Sequence, residues 1–261
     1  MQIKFLGTGT STGVPEIACH CEVCSSNDPR DRRLRTSALF TIKSKNILID
    51  CGPDFRQQML CSHTEKIDAV LLTHVHYDHT SGLDELRVFC KEHSVDVFLE
   101  PWVADAIRAR IPYCFVEHPY PGVASLNLNE IGTDPFCVQD ISVIPIRVMH
   151  YKLPILGYRI EDVAYITDML YISKEEMEKI KDVKILIINA LRHTEHISHQ
   201  TLDMALSLIK RVKPERAYLI HMSHHMGLHE VESKKLPENV YFAHDGLLID
   251  TEYIYKRTTN L

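Results

Sequence analysis

Short apolar runs, many of them closed by glycine, asparagine, aspartate or histidine, recur along the whole chain. Ile3-Lys4-Phe5-Leu6 alternates weakly and predicts a first strand, broken by the loop Gly7-Thr8-Gly9-Thr10-Ser11-Thr12-Gly13. Residues 36–43 and 46–50 read as paired strands with a turn at Ser44-Lys45, followed by a helix over 53–60. Ala69-Val70-Leu71-Leu72-Thr73 suits a buried strand. A helix over 81–90 would put Leu83, Leu86 and Phe89 or Cys90 on one face. A strand at 96–99 and a helix over 101–110, opened by proline, come next.

Residues 111–136 predict a loop-rich flap or rim with a short strand at 124–128. Extended segments follow at 141–150, 155–160 and 163–168. A serine-capped helix over 173–181, a buried strand at 184–189, a helix over 198–212 and strands at 216–221 and 240–243 continue the pattern. The last ten residues read as a closing strand and tail. The halves 2–130 and 131–257 both alternate strands with helices and no linker parts them, which predicts one domain over 1–261 made of two similar layers.

The chemistry gathers where apolar runs end. His74-Val75-His76-Tyr77-Asp78-His79 places four metal-ligand side chains in six residues after a buried strand. In an extended chain His74 and His76 share a side, and a turn lets Asp78 and His79 face them across a small gap. Two imidazoles for one ion, and a carboxylate with an imidazole for another, meet the needs of a dinuclear hydrolase, whose ions lie about 3.5–4 Å apart. Asp50 ends a strand, where its carboxylate can fix the tautomer of a metal-bound imidazole or cap the helix that follows. His150, Asp168 and His221 also close apolar runs.

Cys19, Cys21 and Cys24 form a C-x-C-x-x-C cluster that can hold one zinc if a fourth ligand arrives, best sought among the histidines near the C-terminus. His20, between two of the thiols, points the wrong way. The glycine loop fits neither a dinucleotide nor a nucleotide-triphosphate fingerprint, because no Lys-Ser/Thr opens a helix after it.

Composition adds exclusions. A net charge of −6, with no Lys/Arg block beyond Arg30-Asp31-Arg32-Arg33-Leu34-Arg35, argues against a nucleic-acid partner. No apolar run of about 18 residues spans a membrane, and the first residues do not form a signal peptide. The other five of the eight cysteines are scattered without a pairing pattern, as in a reduced cytoplasmic protein.

These motifs, in this order, resemble the metallo-β-lactamase superfamily. The match runs from Leu6-Gly7-Thr8-Gly9-Thr10 through Asp50, H-x-H-x-D-H, His150, Asp168 and His221 to Ala243-His244-Asp245-Gly246. The resemblance implies an αββα sandwich, two mixed β-sheets face to face with helices outside. Within the superfamily the cysteine cluster resembles that of the phosphoribosyl cyclic phosphate phosphodiesterases of phosphonate breakdown. That likeness places a structural zinc on Cys19, Cys21, Cys24 and His224. It implies His74, His76 and His150 on one catalytic ion, Asp78, His79 and His221 on the other, and Asp168 bridging, with zinc or manganese as the metals. It also puts a catalytic histidine at His199, implies a homodimer, and gives His196 and His244 no role.

The expected activity is hydrolysis of a small phosphodiester, a cyclic ribose phosphate by resemblance, through a bridging hydroxide. Asp78 and Asp168 are then catalytic through the metals, and His199 protonates or stabilises the departing oxygen. The competing classes are a ribonuclease Z-type nuclease, a cyclic-nucleotide phosphodiesterase, a thioester hydrolase and a non-catalytic metal-binding protein.

Overall fold

The computed structural model describes residues 1–91 and 93–251. The strands are β1 (Gln2–Gly7), β2 (Ser37–Ile42), β3 (Lys45–Ile49), β4 (Ala69–Leu71), β5 (Val95–Leu99), β6 (Leu126–Glu130), β7 (Phe136–Val138), β8 (Ile141–His150), β9 (Leu153–Ile160), β10 (Val163–Ile166), β11 (Tyr171–Ile172), β12 (Ile185–Asn189), β13 (Arg216–Ile220), β14 (Val240–Phe242) and β15 (Leu248–Asp250). The helices are α1 (Phe55–Ser62), α2 (Tyr77–Thr80), α3 (Pro101–Arg110), α4 (Lys174–Lys179), α5 (Leu202–Val212) and α6 (His229–Ser233). The closing strand and tail expected of the last ten residues lie outside the described residues, and β15 precedes them.

Two compact units divide the chain. The first takes residues 1–7, 37–130 and the stretch from 246 onward, and the second takes 8–36 and 131–245. The simple halves read from the sequence therefore differ at both ends: the glycine loop and the cysteine cluster belong with the second half's strands, and β15 returns to the first. Each unit is built on one mixed sheet.

In the first unit the order is β15-β1-β2-β3-β4-β5-β6. The pairs from β15 to β3 are antiparallel and those from β3 to β6 are parallel. Leu48, Val70 and Val97, one from each of three adjacent parallel strands, pack with Leu86, Val103 and Ile107 in a core of their own. The helix expected over 81–90 is instead a 3₁₀ helix at Leu83–Phe89, and the short α2 precedes it.

The second unit repeats the scheme. Its order is β11-β8-β9-β10-β12-β13-β14, with β7 also paired to β8. The pairs from β8 to β10 are antiparallel and those from β10 to β14 parallel. β12 is buried at every position, the continuous apolar run expected of a parallel strand covered on both faces. Leu202, Ala205, Leu208 and Ile209 form the buried face of α5, packed in one core with Leu186, Ile188 and Leu219. That helix starts four residues later than the sequence suggests. Thr201 takes the cap, its side chain accepting from the Met204 N–H at 3.3 Å.

In each unit the chain turns sharply where parallel strands end. Asp50 after β3, Asp168 after β10 and His221 after β13 all have left-handed backbone, with φ of 60°, 55° and 55°. Side chains at the carboxyl ends of parallel strands are where α/β proteins present chemistry.

Candidate metal centres

In the first unit a single buried carboxylate organises the histidine motif. Asp50 is fully buried. It accepts the Thr73 N–H at 2.8 Å, the Thr73 hydroxyl at 2.9 Å and His79 Nδ1–H at 2.7 Å. With the hydroxyl proton on Asp50, the Thr73 oxygen is free to accept from His74 Nδ1 at 2.9 Å. Both imidazoles thereby carry their proton on Nδ1 and turn Nε2 toward the site, which is the form a metal needs. Asp50 makes these bonds rather than capping α1, whose N-terminal cap residue is Asp54. Burial pushes the Asp50 carboxyl up, while His79 and Thr73 pull it back toward the ionised form.

The remaining ligands of this unit crowd the same spot. His74 Nε2 lies 3.0 Å from His76 Nδ1, and His79 Nε2 lies 3.1 Å from Asp78 Oδ2. Donor atoms spaced at about 3.0 Å are what two ligands at about 2.1 Å from one ion make at right angles. Arg110, which stands in no motif, steadies this loop. Its guanidinium donates to the Thr80 hydroxyl and, at 3.1 Å, to the Val75 carbonyl, and Thr80 in turn donates to the His76 carbonyl at 2.9 Å. The two segments are 35 residues apart, so no local pattern announces the contact.

The second unit brings together His150, Asp168, His199 and His221. Asp168 Oδ1 lies 3.0 Å from His221 Nε2 and accepts the Thr167 hydroxyl at 2.7 Å. His150 donates from Nδ1 to the Ser198 carbonyl at 3.0 Å, which again puts the lone pair of the neutral ring on Nε2. The His199 ring sits 4.6 Å from that of His150 and 5.0 Å from that of His221. Burial, together with His221 and His150, pushes the His199 imidazole down to about 3 against the pull of Asp168. The ring is neutral near pH 7. Its Nδ1 is buried with no hydrogen-bond partner among the described residues.

Two buried amides, unmarked by any local pattern, hold this set. Asn189 clasps the Met169 backbone with both ends of its side chain, at 2.9 and 3.0 Å. Gln200 donates to the Asn189 carbonyl at 2.6 Å. The residues next to Asp168 and His199 are thus tied to one point.

The cysteine cluster lies in the same unit. The ligand atoms of Cys19, Cys21, Cys24 and His224 fall within 4.8 Å of one another. His224 Nδ1 is 3.4 Å from Cys19 Sγ and 3.2 Å from Cys21 Sγ, close to the edge of about 3.6 Å that tetrahedral zinc sets between sulfur and nitrogen. The Cys24 N–H and His224 lower the Cys21 thiol to about 6, toward the thiolate that binds metal, while burial raises Cys24 to about 11. His20 is exposed and stands apart from the cluster. All eight cysteines are free thiols.

A buried charged network braces the second unit. Arg33 donates to the Thr8 hydroxyl and the Ala243 carbonyl at 2.8 and 2.7 Å, and to His229 Nδ1 at 3.1 Å. Asp245 accepts from Thr8 and from the Leu34 N–H, both at 2.7 Å. The Thr8 carbonyl and Thr10 N–H bridge to Met222, next to His221, both at 3.0 Å. Among the described residues His244 hydrogen-bonds the Asp245 carbonyl at 3.1 Å and sets its ring 6.0 Å from that of His229.

Two mixed sheets with helices, and histidines and carboxylates gathered near strand ends in each, define a metallo-β-lactamase fold. A family model described as a beta-lactamase superfamily domain matches residues 45–222, and the chain belongs to that family of metal-dependent hydrolases. A crystal structure described as a new diphosphatase from the PhnP family is similar to it, with 36% identity, a TM-score of 0.89 and coverage of 95% of this chain and 96% of that one. A Porphyromonas gingivalis protein named octanoyltransferase is 49% identical over 95% of this chain and 51% of its own length. A ribonuclease Z of Thermosynechococcus vestitus is 28% identical over 62% of this chain and 37% of its own length. The chain spans about half the length, or less, of these curated relatives, so each name describes a longer protein. No helix among the described residues is long and apolar enough to cross a membrane.

Proposed function

We propose that this chain hydrolyses small phosphodiesters, a cyclic ribose phosphate among them, with two divalent ions of zinc or manganese. The observation that carries the reading is the tautomer of the histidines: His74, His79 and His150 all have Nδ1 engaged by a protein oxygen, which puts the lone pair a metal takes on Nε2. His74, His76 and His150 would hold one ion, Asp78, His79 and His221 the other, and Asp168 would bridge. When bound, the ions supply water of lowered pKa and offset charge on the phosphate oxygens. The similarity to a diphosphatase supports phosphate as the group attacked.

The protein's own residues do the rest. Asp50 and Ser198 hold the rings at the angle ligation requires. His199, neutral and dry, donates its N–H to the departing oxygen as charge develops there, a role worth about 10²–10⁴-fold. His199→Ala should lower kcat by that order while metal analysis finds the catalytic ions undiminished; full activity would remove His199 from the reaction. The direct test is a panel of bis(p-nitrophenyl) phosphate, ribose 1,2-cyclic phosphate esters, 2′,3′- and 3′,5′-cyclic nucleotides and a transfer-RNA precursor. Preference for the cyclic ribose phosphate is the expected result. A ribonuclease Z-type activity has the sequence similarity noted above in its favour. Cleavage of the RNA with the small esters untouched would establish that activity instead.

A further inference from the structure

Ser198 sits between two histidines and sets the tautomer of each. Its carbonyl accepts from His150 Nδ1, while its N–H and hydroxyl meet His196 Nδ1 at 3.3 and 3.2 Å. A backbone N–H can only donate, so His196 Nδ1 is the acceptor and the neutral ring carries its proton on Nε2. That Nε2 makes no hydrogen bond among the described residues. The ring is half-buried, and its centroid lies 5.1 Å from that of His199 at an interplanar angle of 40°. Burial, and then the nearby Arg192, lower its pKa. The ring that carries this donor therefore stands beside the histidine assigned to the leaving group, and none of the described residues receives its proton.

Resting on the phosphate-hydrolase reading above, we infer that His196 Nε2–H binds the departing phosphoryl group of a diphosphate and makes P–O–P anhydrides better substrates than acyclic diesters such as bis(p-nitrophenyl) phosphate. The two leaving groups differ in what they need. When water attacks an ester, its oxygen bonds to phosphorus, the P–O bond to the alcohol breaks, and the alcohol oxygen takes the electron pair. The neutral His199 N–H hydrogen-bonds that oxygen as charge develops there, and the proton the alcohol gains comes from the attacking water by way of solvent. When water attacks a diphosphate, the bond to the bridging oxygen breaks and the second phosphate keeps the electron pair as charge, while the protons of water pass to the products and solvent. Such a group calls for a further donor, because its charge is spread over several oxygens that one N–H cannot cover.

The experiment compares kcat/KM for a nucleoside 5′-diphosphate and for bis(p-nitrophenyl) phosphate in the metal-loaded wild type, His196→Ala and His196→Gln. A donor bonded to a charged group sets the scale of the loss. The diphosphate-to-diester ratio should fall about 10- to 100-fold in His196→Ala and recover in part in His196→Gln, whose amide N–H can replace the lost donor. Metal content and thermal midpoint, measured alongside, should match the wild type. Equal losses on both substrates, or no change in the ratio, would overturn the inference. A wild type that cleaves the diester and not the diphosphate overturns it while leaving the hydrolase reading intact. A wild type that cleaves neither removes both.

Discussion

His229 shows how one buried side chain can set a pH response. It is 7% exposed, and its Nδ1 already accepts from the Arg33 guanidinium. A protonated ring there would put donor against donor. Burial, then Arg33, lowers its pKa from 6.5 to about 4. Between about pH 4 and 6.5 the unfolded chain binds more protons at this position than the folded one. Its contribution to stability is therefore complete above pH 6.5 and is lost as pH falls toward 4. Asp245, raised to about 6 by burial, acts in the opposite sense in part of this window. His229→Gln should make the decline in stability below pH 6.5 shallower than in the wild type, read from urea midpoints at a series of pH values. An unchanged slope would show that the ring does not titrate in this way. Gly82 is a second single-residue constraint. A Cβ there would strike the Gly52 carbonyl oxygen and come within 2.8 Å of Phe55 Cβ. Gly82→Ala should cost about 1–3 kcal/mol or more, visible as a lowered thermal midpoint.

At the scale of elements, what could be read from the sequence was what is local. H-x-H-x-D-H declares itself because its ligands sit within one strand end and one turn of helix. α3, with Pro101 first, lies where the pattern puts it. Elements held by partners from elsewhere were harder to see. β7 and β11 are three and two residues long and exist by pairing with β8, so they carry no periodicity of their own. The role of Asp50 stayed divided between two possibilities because its partners Thr73 and His79 lie 23 and 29 residues away. Asn189 and Gln200 looked like an ordinary strand end and helix start, since nothing local marks a buried amide that clasps a distant backbone. The cysteine loop offers a direct check at this scale. Cys21→Ser should lose one zinc per chain by metal analysis while the catalytic ions stay, because the Nδ1 of His224 then lacks one of its thiolate neighbours.

For the whole molecule, metal and fold should be coupled. Each unit has its own core, so the chain does not need metal to bury apolar surface. The ligand clusters, however, crowd carboxylates, thiolates and imidazole nitrogens at 3.0–3.4 Å, an arrangement that a cation relieves. Binding to the folded chain alone stabilises it by about 2.7 kcal/mol at a hundredfold excess over Kd. Dialysis against a strong chelator should thus lower the thermal midpoint by several degrees without loss of secondary structure, and readdition of zinc or manganese should restore it. A midpoint indifferent to chelation would mean that the clusters hold no ion of consequence.

Asp50, Asp168 and His221 carry one more implication. Left-handed backbone is costly for any residue with a side chain, about 1–3 kcal/mol where it is strained, and glycine escapes that cost. Selection for durability and selection for chemistry consequently pull in opposite directions at three fixed points of the backbone. A gene copy released from its chemical task would drift toward glycine at Asp168 and His221. A laboratory library screened for heat resistance alone would be expected to enrich the same change and lose its activity there first.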